Sequence, residues 1–207
     1  MPIALILAEF KASIAQCDSL IANGHKLDAS GSAILPTIDQ QQITVAAFLN
    51  LFIAWEAFLE KSLTEFMIGG ATISSNKPVR YVSPPHADAA IKLVIGVMRF
   101  FDFANHKNVK MMINMYFKDG YPYEPHISGI YSDLDDLRTM RNASAHISTT
   151  TQTALEGLGV RIFGQPQGGI TLYKMLTATD PRSAAGETVY LAYRNKLEVT
   201  AELISQG

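Results

Sequence analysis

Apolar residues recur along most of this chain at intervals of three and four, the spacing that lines one face of an α-helix. Ile3, Leu7, Phe10, Ile14, Cys17 and Ile21 form one such stripe. They predict a helix from Ile3 to about Ala22, ended or loosened by Asn23-Gly24 and a slacker stretch through Ser32. Thr37-Ile38-Asp39-Gln40 has the capping-box pattern and opens a helix to about Ile68, which Gly69-Gly70 closes. Ser83-Pro84 is a start signal for a helix through Phe101. Ala104 to Phe117 reads as a shorter, Met-rich helix stopped by Asp119-Gly120-Tyr121-Pro122. Ile130, Leu134, Leu137, Met140 and Ile147 form the next stripe, and no Pro or Gly interrupts Ile130 to Thr153. One unbroken helix is predicted there, with Ser128 or Ser132 as its N-cap. Gly157 to Pro181 is punctuated by Gly and Pro, with short strands expected around Val160–Phe163 and Ile170–Leu172. Glu187 to Ile204 forms a last helix.

These elements predict an all-α fold, a single helical domain over residues 1–207 with an irregular excursion before the C-terminal helix. At 207 residues and 48% hydrophobic, the chain can bury one good core, and dividing it would leave a weak half. A net charge of −2 argues against a broad basic surface for coating nucleic acid, though not against a cleft that grips one phosphate. The single cysteine, Cys17, rules out an intramolecular disulfide and a Cys-rich zinc site; in its apolar stripe it reads as a small buried hydrophobe. Met-Pro-Ile carries no basic segment ahead of the apolar run, so no secretory leader is expected. The most apolar stretch, Ile43 to Leu59, contains Asn50 and Glu56 and falls short of the ~20 residues that span a bilayer. A cytoplasmic protein without a membrane contact is expected.

Candidate chemistry concentrates in Arg141-Asn142-Ala143-Ser144-Ala145-His146. Metal-free RNA cleavage needs a proton shuttle near neutrality and a fixed cation for the crowded phosphate. Histidine supplies the first, with an ordinary pKa near ~6.5. Arginine supplies the second through a planar fork suited to phosphate oxygens. On one continuous helix Asn142 and His146 stack one turn apart, and Arg138 lies one turn before Asn142. Arg141 would then point roughly 140° away from His146. A shared site needs either a bent Arg141 stem or a second copy of the chain, which makes a symmetric homodimer attractive.

The hexapeptide resembles the Arg-x(4–6)-His motif of the HEPN superfamily. Trp55-Glu56-Ala57-Phe58-Leu59-Glu60 looks like the acidic-aromatic element that those domains set against the motif helix. The order of elements, with Gly168-Gly169-Ile170-Thr171 after the motif and a last amphipathic helix, is similar to the RiboL-PSP-HEPN branch. The resemblance spans roughly Ile3 to Ile204, and its specific part is the hexapeptide and the Trp-Glu run. It implies a helical bundle that dimerises through facing motif helices, and in many members a metal-independent endoribonuclease of toxin or defence type. Arg141 and His146 carry over as the active pair, and Asn142 matches the polar position after the arginine. Other members keep the fold without activity.

Plainer uses stay open for each residue. Arg141 can pair with Asp135, Asp136 or Glu56, and Arg138 with Asp135. His146 can be a partly buried helix histidine capping a carbonyl. Glu56 interrupts an apolar face and should have a partner, either an orienting contact to the motif helix or water. His25, His86, His106 and His126 show no short-range ligand pair, so no metal is expected, and no cofactor. Gly164-Gln165-Pro166-Gln167-Gly168-Gly169 reads as a turn, not a phosphate loop. The Met and Phe residues from Met98 to Phe117 read as packing, and Tyr116, Tyr121, Tyr123 and Tyr131 as loop buttresses. Two classes of function follow: an RNA-cleaving enzyme, with RNA as substrate and an antitoxin or regulatory protein as a further partner, or a non-catalytic module binding RNA, nucleotide or protein.

Overall fold

A computed structural model of the chain describes residues 1–97, 99–145 and 148–207. Among them the regular structure is helical: α1 (Ile3–Gly24), α2 (Thr37–Met67), α3 (Ala87–Ile95), α4 (His106–Tyr116), α5 (Glu124–Gly129), α6 (Tyr131–Ala145), α7 (Thr149–Phe163), α8 (Leu172–Thr177) and α9 (Val189–Gln206). A 3₁₀ turn, Lys118–Gly120, follows α4. The strands expected at Val160–Phe163 and Ile170–Leu172 do not form. The first is the end of α7, and Thr171 instead caps α8, its hydroxyl accepting from Lys174 N at 3.3 Å.

The ends of α2 show how local chemistry sets boundaries. After Met67, the Gly70 N–H reaches back to the Glu65 carbonyl (2.9 Å) and the Gly69 N–H to Phe66 (3.1 Å). This paired closure needs a left-handed residue, and Gly69 sits at φ 103°. A Cβ on Gly70 would meet the Glu65 carbonyl oxygen at 2.9 Å, so only glycine fits. Arg80 Nη1 caps a further carbonyl, that of Met67, at 2.8 Å. The helix expected through Phe101 stops at Ile95, with Gly96 at φ 60°.

The contacts divide into two units, each assembled from separated segments. Unit 1 comprises residues 1–11, 55–134 and 196–207. Its core joins Phe10 to Trp55 and Phe58, with ring centroids 6.0 and 5.4 Å apart. Tyr123 is buried beside Phe66 and donates its hydroxyl to Ser62 (2.9 Å); burial pushes its phenol far above the ordinary range. Tyr116 donates to the Leu93 carbonyl (2.7 Å), satisfying one of the orphan acceptors at the end of α3. Lys196 bonds Asp133 at 2.6 Å, and Lys61 bonds Glu9 at 2.7 Å. Ser128, a cap candidate from the sequence, instead accepts from Lys110 and donates to Glu124.

Unit 2 comprises residues 12–54 and 135–195. Ile14, Cys17, Phe48, Leu51, Phe52, Leu137, Met140, Leu155, Leu158 and Ile162 are buried in it. A polar network crosses it: Asp136 takes Arg161 and the Tyr193 hydroxyl (2.7 Å), while Arg182 clasps Asp180 and reaches Tyr193 (3.2 Å). Asp136 and Asp180 are buried, and Arg161 and Arg182 offset those charges. Burial, then the Asp136 bond, raises the Tyr193 phenol well above its usual range.

Among the described residues α2 is the one helix long and apolar enough to cross a membrane. The shorter span expected from Ile43 to Leu59 understates it, because the helix runs unbroken for 31 residues. Phe48, Leu51 and Phe52 on it are buried in unit 2, and Trp55, Phe58 and Leu59 in unit 1, as in a core helix.

Candidate functional site

The candidate site begins on α6. Leu134, Leu137 and Met140 recur every three residues and are buried, which fixes the rotation of the helix. Arg138, Arg141 and Asn142 occupy other positions of α6 and are half-buried. Arg138 and Asn142 stand one turn apart, as expected.

Arg141 and Asn142 meet directly. Arg141 Nη1 donates to Asn142 Oδ1 at 3.4 Å, a long bond, and Ser144 donates its hydroxyl to the Arg141 carbonyl at 2.6 Å. Among the described residues Arg141 takes part in no ion pair. Asp136, one partner open to it from the sequence, is occupied by Arg161 and Tyr193 instead. With Asn142 Oδ1 turned to the guanidinium, the amide Nδ2–H groups are left for another acceptor.

The unbroken helix expected from Ile130 to Thr153 is divided: α6 ends at Ala145 and α7 starts afresh at Thr149. The cause is a capping box. Ser148 takes an extended conformation (φ −139°, ψ 162°). Its hydroxyl accepts from Thr151 N at 3.2 Å, and the Thr151 hydroxyl accepts from Ser148 N at 3.0 Å. Three successive threonines favour such a start over a helix interior, since β-branching and a competing hydroxyl penalise the middle of a helix. His146 and its stacking on Asn142 lie outside the described residues, as do Ile147 and Met98. The 140° divergence of Arg141 and His146 lies outside the described residues with it.

Glu56 belongs to unit 1, half-buried on α2 between the buried Trp55 and Leu59. Arg138, Arg141 and Asn142 belong to unit 2. Among the described residues no three His, Cys, Asp or Glu side chains converge as a metal site. The pairing that sequence reasoning missed is the Asp136–Tyr193–Arg182–Asp180 chain, whose members come from α6, α9 and the loop after α8. No local spacing signals it. No family model matches the sequence, no curated protein is similar to it, and no solved structure matches its fold.

Proposed function

We propose that this chain is a metal-independent endoribonuclease of the HEPN kind, with Arg141, Asn142 and His146 as its catalytic set. The observation that supports the reading most is Arg141: a half-buried guanidinium bonded to a neutral amide and, among the described residues, to no carboxylate. A guanidinium so placed keeps its charge for an anion. In the reaction a base removes the 2′-hydroxyl proton, the 2′-oxygen attacks phosphorus, and the 5′-oxygen leaves with a proton. The products are a 2′,3′-cyclic phosphate and a 5′-hydroxyl end. His146 serves one proton transfer, and His146 of a second copy serves the other in a homodimer. Arg141 stabilises the charge on the phosphorane, and Asn142 Nδ2 holds a phosphate oxygen or sets the imidazole tautomer. Arg138 binds a neighbouring phosphate.

The test is incubation of the purified protein with pooled tRNA and mRNA in EDTA. Cleavage leaving 2′,3′-cyclic phosphate ends is expected, and loss of activity in His146→Ala by about 10²–10⁴. Arg141→Ala should lower the rate by about 10²–10³. RNA binding without cleavage would favour a non-catalytic module, a reading the net charge of −2 supports. Cleavage that requires a divalent metal would overturn the mechanism.

A further inference from the structure

Unit 2 contains a cavity of about 510 Å³, within the range of roughly 300–1,000 Å³ typical of small-molecule pockets. Its lining comes from four separate stretches: the end of α1, early α2, α8 and the start of α9. Arg138, Arg141 and Asn142 are not among its lining residues.

One wall is aromatic. The rings of His25 and Tyr173 lie parallel, 5° apart in plane with centroids at 6.0 Å. His25 is held in place by Thr44: Nε2 lies 3.0 Å from the Thr44 hydroxyl oxygen. That hydroxyl spends its proton on the Gln40 carbonyl at 2.8 Å, so it accepts from His25, and Nε2 carries the hydrogen. In the neutral ring Nδ1 is then an acceptor. Tyr190 also lines the cavity and donates to Asp18 Oδ1 at 3.0 Å. Leu176 and Leu191 add apolar lining.

The polar atoms of this wall are mostly acceptors. The hydroxyl protons of Thr44, Thr177 and Tyr190 are already donated to Gln40, Tyr173 and Asp18. Those of Tyr173 and Thr188 remain. Asp18 presents a carboxylate, and no lysine or arginine lines the cavity. Arg194 pairs with Asp18 through Nε (3.1 Å) and Nη2 (2.9 Å) and bonds Asn195 at 2.8 Å. A phosphate or carboxylate entering here would lose water without gaining a cation or a set of N–H donors. A flat ring carrying N–H groups would gain stacking on Tyr173 and acceptors in His25 Nδ1 and in the lone pairs of Asp18 that Tyr190 and Arg194 leave over.

We infer that this cavity binds a small planar aromatic amine or N–H heterocycle, uncharged or cationic, and discriminates against anionic relatives of the same ring. The site stands on unit 2 alone and holds whether or not Arg141 takes part in RNA cleavage.

Three probes share one ring and differ in charge: tryptamine, indole and indole-3-acetate. Titration of the whole protein, by calorimetry and ligand-observed NMR, should rank them in that order. Tryptamine should bind at least about tenfold more tightly than indole-3-acetate. Tyr173→Ala should weaken tryptamine by about tenfold, while Tyr173→Phe, which keeps the ring, should leave it nearly unchanged. Asp18→Asn removes the carboxylate and should erase the preference for tryptamine over indole-3-acetate. If Asp18→Asn does not fold, as judged by circular dichroism, the Tyr173 pair and the wild-type ranking decide. The inference is overturned by no saturable binding of any probe at millimolar concentration. Tightest binding of indole-3-acetate by the wild type, or indifference to Tyr173→Ala, overturns it equally.

Discussion

At the scale of single residues, Arg141 and Asp136 sit five positions apart on one helix and have opposite kinds of surroundings. Asp136 is buried and takes two donors, Arg161 and Tyr193, so its charge is tied to stability. Tyr193→Phe removes one donor and should lower unfolding stability by about 1–3 kcal/mol in urea titration while leaving RNA cleavage intact. Arg141→Ala should do the reverse: loss of cleavage, with stability changed by no more than about 0.5 kcal/mol. Arg141→Lys should restore little activity, because an ammonium cannot reproduce the planar fork. His126 on α5 gives a pH signature. Burial holds its imidazole below the ordinary histidine range. The unfolded chain therefore binds that proton more readily, and stability falls as pH drops below the unfolded value of about 6.5. The urea midpoint should decline from about pH 7 to about pH 5, and His126→Gln should remove part of that decline.

At the scale of elements, the junction of α6 and α7 matters most, because it carries the Arg141–His146 run. Ser148→Ala removes the cap and should cost about 1 kcal/mol. Thr151→Val removes only the reciprocal bond and should cost less; thermal melts of the two variants give the comparison. The helices with strong end signals were legible in the sequence. α1 and α2 end within two residues of where Asn23-Gly24 and Gly69-Gly70 place them. α7 was misread for two reasons. Its capping box uses Thr151 where the usual pattern has Glu or Gln, so the sequence does not signal the break at Ser148. Gly157 and Gly159 also look like turn signals in the sequence. Gly159 is buried in the helix instead, where a Cβ would lie 3.2 Å from Gln167 Cβ, and it lets the following loop pack closely. The β-branched Val160 and Ile162 were read as strand, but helical context and the burial of Ile162 decided otherwise. Arg138, Arg141 and Asn142 could be found because they share one helix. The unit 2 cavity could not, because its walls join residues from both ends of the chain.

At the scale of the whole molecule, the proposed cleavage needs two copies of the active set. Light scattering should give twice the monomer mass at micromolar concentration, and a monomer that still cuts RNA would remove the partner's His146 from the mechanism. Neither unit is one continuous stretch of chain: unit 1 closes with residues 196–207, and unit 2 takes its last segment up to Asn195. Leu197, Ala201 and Ile204 fill the first core, and Val189, Tyr190 and Tyr193 the second, all from α9. During synthesis, neither core can be completed before α9 has left the ribosome. A nascent chain truncated at Thr188 should therefore stay protease-sensitive over both units, although most of its helix-forming sequence is already present. The proposed nuclease would thus stay silent while residues 1–188 are being translated, sparing the messenger that encodes it until α9 emerges.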